Sequence, residues 1–455
     1  MDKLIVPASK GFSKEAIAVM FANHSSAGFS FQRQEAVVAI MQAYVGQYDY
    51  LIRETAKHFS KFIQTQVPMT AQKIFRKIID SRYKSYSTPA TRTGEESYLE
   101  RLLTLDSEML NLDHLRGALG TVGFLRDYNE QTGQLTGYPV VWFIDVYFEG
   151  DPDPRGVIYP MANVSGKKAD QIYVVWTDTE HFMLTASGNI VALHDNPDMV
   201  NPYGVIPVLF AHNGPPSIVG EFRREPAADL ANAQMMYNVY NTQLSVIDMY
   251  QSGSQMYMTG TDPPSKEMFT GPDEILYLPE PGGKVGFATP GGKPEALIDS
   301  MRWVVETAAQ NYNLKIKWGE ASSGATSGEH QRILEVELTS AIEGDQNAWR
   351  QFESERFEVD SAILAAHGIQ AGNVEDYAVD FASAHIPLSW PEQQAQYDYK
   401  KSINLYTDVD IAMDLNPDLT REQAKELIEI NKAINQPTAA TAGLSLAERL
   451  AAPAS

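Results

Sequence analysis

The stretch Ser322-Ser323-Gly324-Ala325-Thr326-Ser327-Gly328 has the residue types that could cradle a phosphate through backbone N–H groups. It lacks the lysine of a phosphate-binding loop and does not follow a buried strand. Gly166-Lys167, Gly283-Lys284 and Gly292-Lys293 also fail the Gly-x-x-x-x-Gly-Lys-Ser/Thr spacing. The nine histidines show no His-x-x-x-His or Glu-x-x-His pair, which argues against a zinc or di-iron centre. His330, beside the Ser/Gly stretch, reads as a solvent-facing residue near a helix start. Asp408, Asp410, Asp414 and Asp418 lack the central glycine and terminal glutamate of a calcium loop. They read instead as helix-start carboxylates favoured by the macrodipole. There is no Gly-x-Ser-x-Gly elbow, and no spacing among 58 acidic residues selects a pair for glycoside hydrolysis.

Composition bounds the remaining possibilities. A chain of 455 residues, 44% apolar, can bury large cores and suggests roughly two to four domains. It contains no cysteine, which removes disulfides and thiolate metal sites. Met1–Pro7 has no apolar signal-peptide region. The longest apolar runs, near Pro139–Phe143 and Val205–Ala211, are far shorter than the roughly 20 residues of a membrane helix, so a soluble protein is expected. With 36 basic against 58 acidic residues, the net charge is −22. Such a surface does not grip nucleic acid through phosphate neutralisation. It aids solubility or, around a duplex, keeps DNA from sticking.

The elements that position these residues follow from periodicity. Gln32–Gln64 carries helical apolar spacing through Val37, Ile40, Met41, Tyr44, Tyr48, Leu51 and Ile52, and Pro68 ends it. Helices are expected over Ala71–Tyr83 and Glu95–Leu119, the latter with Leu99, Leu102, Leu103, Leu110 and Leu115 as its stripe. From Gly120 to His212 an antiparallel β region is expected, with strands at Tyr138–Phe148, Ile172–Thr177, Phe182–Leu184, Ile190–Leu193 and Ile206–Ala211. The turn formers Asn196–Gly204 connect the last of them.

Pro226 opens a helix to about Gln251, roughly 39 Å long. Leu230, Ala233, Tyr237, Tyr240, Leu244 and Ile247 form one seam, and Met235, Val239 and Val246 a second. Between them lie Gln234, Asn238, Asn241 and Ser245. The pattern fits a helix sandwiched inside one subunit or packed between ring neighbours. Ser252–Lys293 is rich in Pro and Gly, with short strands at Gln255–Thr259 and Glu274–Leu278. Pro294 starts a second helix to near Asn313, with Leu297, Met301, Val304, Val305, Ala308 and Tyr312 on one face and Glu295, Asp299, Arg302, Glu306 and Gln310 on the other. A third helix spans Glu329 to about Ala366, with Gly344 as a plausible kink. A strand at Ala378–Ser389 follows, then Thr420-Arg421-Glu422-Gln423 as a capping box opening a helix to about Ile434. The tail from Gln436 reads as mobile apart from a turn at Leu444–Leu450.

This order resembles the portal proteins of tailed bacteriophages. The resemblance is carried by Asn201-Pro202-Tyr203-Gly204-Val205-Ile206-Pro207, the helices from Pro226 and Pro294, and Ser322-Ser323-Gly324 leading into the third helix. Pro387–Trp390 with Glu392, Thr407–Asp410 and Thr420–Ile428 add to it. The resemblance implies an α+β portal fold: residues 1–224 as wing, 225–251 and 294–314 as stem helices, and 252–293 as clip. Residues 315–328 would be the tunnel loop, 329–407 the long helix and return to the wing, and 408–455 a reduced crown with a flexible tail. It implies about twelve copies in a ring at one capsid vertex of the virion, assembled in the host cytoplasm. The ring would be a channel for packaging and ejecting double-stranded DNA.

The implied partners are the chain itself, double-stranded DNA, terminase, major capsid or scaffolding protein, and a head-tail adaptor, with no membrane. Gly319, Glu320, Ser322, Ser323, Gly324, Thr326, Ser327 and Gly328 would face the DNA in the tunnel loop. Glu295, Asp299 and Glu306 are candidate acidic channel positions, and Arg302, Lys315 and Lys317 candidate basic rings. Exposed ion pairs Asp299–Arg302 and Arg302–Glu306 are the plainer alternative for the stem charges. Asp262, Lys266, Asp273, Glu274 and Lys284 are candidates for docking partners at the clip. The reading needs no catalytic residue, metal or cofactor. Another virion component, such as a head-tail adaptor or minor capsid protein, is one alternative; an acidic hydrolase is another.

Overall fold

The structure, a computed structural model, describes residues 3–26, 29–162, 166–218, 220–252, 255–260, 276–279, 284–288, 294–316, 328–382, 390–416 and 419–435. It is a mixed α+β chain, 50% helical and 17% strand. Two compact units are distinguished: Met1–Ser322 with Ile333–Ala384, and Ser323–Arg332 with His385–Ser455.

The first unit begins with strand β1 (Lys3–Val6), then helices α1 (Lys14–Ser26), α2 (Phe29–Val45), α3 (Tyr48–Ala56), α4 (Lys61–Gln66) and α5 (Ile74–Arg82). The single helix expected over 32–64 is therefore three. Gly46, at φ +69°, closes α2 by donating its N–H to the Gln42 and Ala43 carbonyls, and Ser60 caps α4 by accepting from the Ile63 N–H. Apolar periodicity reports which face is buried and is blind to such breaks. Likewise the helix expected over 95–119 is a short α6 (Glu96–Leu99) and a separate α7 (Leu105–Leu119) preceded by strand β2 (Thr91–Thr93). Leu103, placed in the apolar stripe, lies in the break and is exposed; Met109 and Leu112 are buried instead.

The β region comprises β3 (Thr121–Asn129), β4 (Gln134–Val140), β5 (Ile144–Phe148), β6 (Gly156–Pro160), β7 (Ile172–Thr177), β8 (His181–Thr185), β9 (Ile190–Val191) and β10 (Val208–His212). The strand expected at 138–148 is split between two sheets. β4 belongs to the antiparallel sheet β10-β3-β4, and β5 to the sheet β1-β5-β6-β7-β8-β9. The larger sheet is not wholly antiparallel, because β1 pairs parallel to β5, with Lys3 opposite Asp145. β1, β3 and β6 were not foreseen; Val157 and Ile158 of β6 are fully buried. Asn201, at the head of the Asn-Pro-Tyr-Gly turn, is buried and staples it. Its Nδ2 donates to the carbonyls of Thr177 (2.7 Å) and Val205 (2.8 Å), and its Oδ1 accepts from the Tyr203 N–H.

Next come α8 (Ala228–Ser252), a small sheet of β11 (Gln255–Gly260), β12 (Leu276–Pro279) and β13 (Val285–Ala288), then α9 (Pro294–Gln310), α10 (Gly328–Ala366) and β14 (Ala378–Asp380), which pairs with β2. β13 was not foreseen; it is antiparallel to β11, whereas β12 is parallel to it. Helix α10 passes uninterrupted through Gly344. Of the strand expected at 378–389, residues 378–380 are paired, and 383–389 lie outside the described residues.

The second unit contains α11 (Trp390–Ser402), α12 (Asp408–Leu415) and α13 (Arg421–Asn435). Thr407 and Asp410 form a reciprocal capping box at α12, and Thr420 and Gln423 form the expected one at α13. Of the four aspartates read as helix-start carboxylates, Asp408 and Asp410 occupy the first turn of α12. Asp414 sits near its end, and Asp418 lies outside the described residues. The tail expected to be mobile from Gln436, with its turn at Leu444–Leu450, also lies outside them.

Candidate functional site

Helices α8 and α9 pack on each other, flanking the β11–β13 sheet in sequence. Met301, Val304, Val305, Ala308 and Ala309 make the buried face of α9, whereas the expected member Leu297 is only half buried. Glu295, Asp299 and Arg302 are exposed on the other face, with Glu306 half buried. Neither Asp299–Arg302 nor Arg302–Glu306 is an ion pair among the described residues. Trp303, on the same helix, is 64% exposed, and Ile298 and Met236 are also exposed.

The inner face of α8 is polar. Gln234, Asn238 and Thr242, four residues apart, are fully buried. Gln234 Oε1 accepts from the Phe75 N–H at the start of α5 (3.0 Å), while its Nε2 donates to the Ala43 carbonyl at the end of α2 (2.9 Å). One side chain thus satisfies an orphan donor at one helix end and adds a second donor to a carbonyl at another. Asn238 accepts from the Gln72 N–H (2.9 Å) and Asn241 donates to Thr70 (2.8 Å). Of the two readings open for this row, the sandwich inside one subunit describes residues 234–242. The seam residues Ala233, Tyr237 and Val239 are only half buried.

Helix α10 is held by buried charge. Glu353, Arg356 and Asp360, at i, i+3 and i+7 on one face, are fully buried and ion-paired, Arg356 to both carboxylates. Arg126 of β3 grips Asp360, and Arg92 of β2 grips Glu353 (2.8 Å) and Asp106 (2.7 Å). The hydroxyls of Tyr86, Tyr98 and Tyr377 complete the cluster. Burial alone would raise the Glu353 carboxyl, but Arg356 and Arg92 outweigh it and hold it at about 2. One turn earlier Trp349 donates to Asp113, whose other partners are Arg116 and the Ser85 N–H. These charges escaped sequence reading because Glu353–Arg356–Asp360 has the spacing of an ordinary solvated helix face. The clue was the apolar residue set sharing that face, Trp349, Phe352 and Phe357.

Of the Ser/Gly stretch, Gly319, Glu320, Ser322, Ser323, Gly324, Thr326 and Ser327 lie outside the described residues, and Gly328 opens α10. His330 falls in the first turn of that helix. Lys315 is exposed and stands 3.8 Å from Glu337 of α10, a weak surface pair; Lys317 is outside the described residues. Of the expected docking residues Asp262, Lys266, Asp273, Glu274 and Lys284, only Lys284 is described. Its backbone N–H donates to Thr259 Oγ1 and its carbonyl accepts from the Thr259 N–H, leaving the residue exposed on the small sheet. Among the described residues no cluster of three or more His, Asp or Glu could hold a metal, and no helix is long and apolar enough to cross a membrane. The chain matches no family model and no curated protein, so its residues alone carry the functional reading.

Proposed function

We propose that this chain is a tailed-phage portal subunit that closes with copies of itself into a ring through which double-stranded DNA enters and leaves a capsid. One observation carries the reading: two packed helices, α8 and α9, flank a small sheet in sequence and precede a Ser/Gly stretch and a 39-residue helix. In this reading α8 and α9 are the stem, β11–β13 the clip, residues 315–328 the tunnel loop, and the helices from 408 onward a reduced crown. The bulk of residues 1–224 forms the wing.

Exposed Trp303 and Ile298 on α9 and Met236 on α8 support it, because apolar side chains left in solvent on both stem helices suit a neighbouring copy. The buried charges of α10 support it as well, since they hold the helix that begins where the loop ends. Glu295, Asp299 and Arg302, exposed and unpaired with one another, are available to line a channel. A net charge of −22 per copy leaves such a channel unable to bind the duplex tightly. The clip would dock terminase and later the adaptor, the wing would meet capsid or scaffolding protein, and no step requires catalysis.

The test is negative-stain imaging and sedimentation of the purified chain. Rings of about twelve copies are expected; a protein that stays monomeric at assembly concentrations overturns the reading. Deleting 322–328 should leave rings that package DNA poorly, whereas a head-tail adaptor would be indifferent to it.

A further inference from the structure

A cleft of about 380 Å³ lies in the β region. It is lined by Leu125 and Asp127 of β3, Tyr159 of β6, Trp176 of β7, and His181 and Met183 of β8. Trp176 forms a fixed aromatic wall. His181 stacks on it at 3.3 Å between ring centroids, Tyr203 lies nearly parallel to it at 5.8 Å, and its indole N–H donates to the Tyr159 hydroxyl. Burial outweighs the nearby Asp195 and pushes His181 down to about 4, so the ring is neutral near pH 7. Arg126 reaches the cleft but is committed to Asp360 and Glu108.

Two of the lining residues are aspartates. Asp127 and Asp195 are exposed at the cleft, and neither has an ion-pair partner among the described residues. Among the described residues, Asp127 accepts from the neighbouring Tyr128 N–H. Burial first, then Asp127, Asp195 and Glu130, raise the Tyr203 hydroxyl, so three carboxylates act on one ring of the wall. Apolar walls, flat aromatic faces and free carboxylates at the mouth match a side chain with an aliphatic stem and a planar cationic head.

We propose that this cleft binds an arginine side chain presented by a partner polypeptide, its guanidinium against the His181–Tyr203 wall and paired with Asp127 and Asp195. Arginine fits better than lysine because a planar guanidinium stacks on aromatic rings and pairs with carboxylates through two N–H groups. The site does not rest on the portal reading.

The probes are acetyl-Gly-Arg-Gly-amide, its lysine counterpart, and its citrulline counterpart, which keeps the shape and loses the charge. Binding to the full-length chain is measured by calorimetry. Millimolar binding of the arginine peptide is expected, with citrulline at least about tenfold weaker, corresponding to about 1.4 kcal/mol. Asp127→Asn with Asp195→Asn should weaken arginine binding by a similar factor without changing the melting temperature. Equal affinity for arginine and citrulline, no arginine binding, or an unaffected double variant overturns the assignment. Tighter binding of the lysine peptide overturns the guanidinium specificity.

Discussion

Arg126 and Asp360, 234 residues apart, are joined by two parallel hydrogen bonds, Nε to Oδ1 at 2.7 Å and Nη2 to Oδ2 at 3.0 Å, with both side chains fully buried. The pair ties strand β3 to helix α10. Removing the Asp360 charge leaves Arg126 with Glu108 alone and Arg356 with Glu353 as its remaining carboxylate, so Asp360→Asn should cost about 3–5 kcal/mol in urea unfolding. Arg126→Met with Asp360→Leu should cost less than the two single changes summed, because one charge of each sign leaves the interior together.

Gln234→Leu tests the capping of two helix ends by one side chain. It leaves the Phe75 N–H buried without a partner, while the Ala43 carbonyl keeps only the Gly46 N–H, and should cost roughly 1–3 kcal/mol, read from the denaturation midpoint. Hydrogen exchange should quicken at the start of α5.

Acid should destabilise the fold in two stages. Burial holds His181 and His212 at about 4, against 6.5 for the free residue. Between these values the unfolded chain takes up protons that the folded chain does not, so stability falls as pH drops from 6.5 to 4. Glu353, held at about 2, contributes stability above its unfolded value of 4.5 and loses it as pH falls towards 2. Melting temperatures across this range should fall through both windows, and His212→Gln should flatten the first.

Two glycines should respond differently to alanine. Gly46 and Gly120 both have positive φ. An added Cβ at Gly46 meets the flexible stem of Lys73, so Gly46→Ala should cost about 1 kcal/mol, mainly from conformation. At Gly120 the same atom would lie 2.4 Å from the backbone carbonyl oxygens of Arg224 and Glu225. Gly120→Ala should therefore cost more, and thermal melts of the two variants decide it.

Trp303→Ala separates folding from assembly. The side chain is exposed in the single subunit, so stability should change by no more than about 0.5 kcal/mol. Ring formation, read by sedimentation, should weaken.

Apolar spacing together with the prolines at 226 and 294 located α8, α9 and α10, and Val, Ile, Tyr and Trp between turn formers located β7, since these are local properties of the chain. Asn201-Pro-Tyr-Gly was equally legible as a turn, because Asn201 holds it through the nearby Tyr203 N–H and Val205 carbonyl. Only the tertiary structure could decide that Gln234 and Asn238 face inward and that Glu353, Arg356 and Asp360 are buried. Nor was the division of 138–148 between two sheets legible in one dimension. In each case the deciding partner lies far along the chain, Phe75 for Gln234 and Arg126 for Asp360. A polar residue's place inside or outside depends on whether such a partner arrives to replace water.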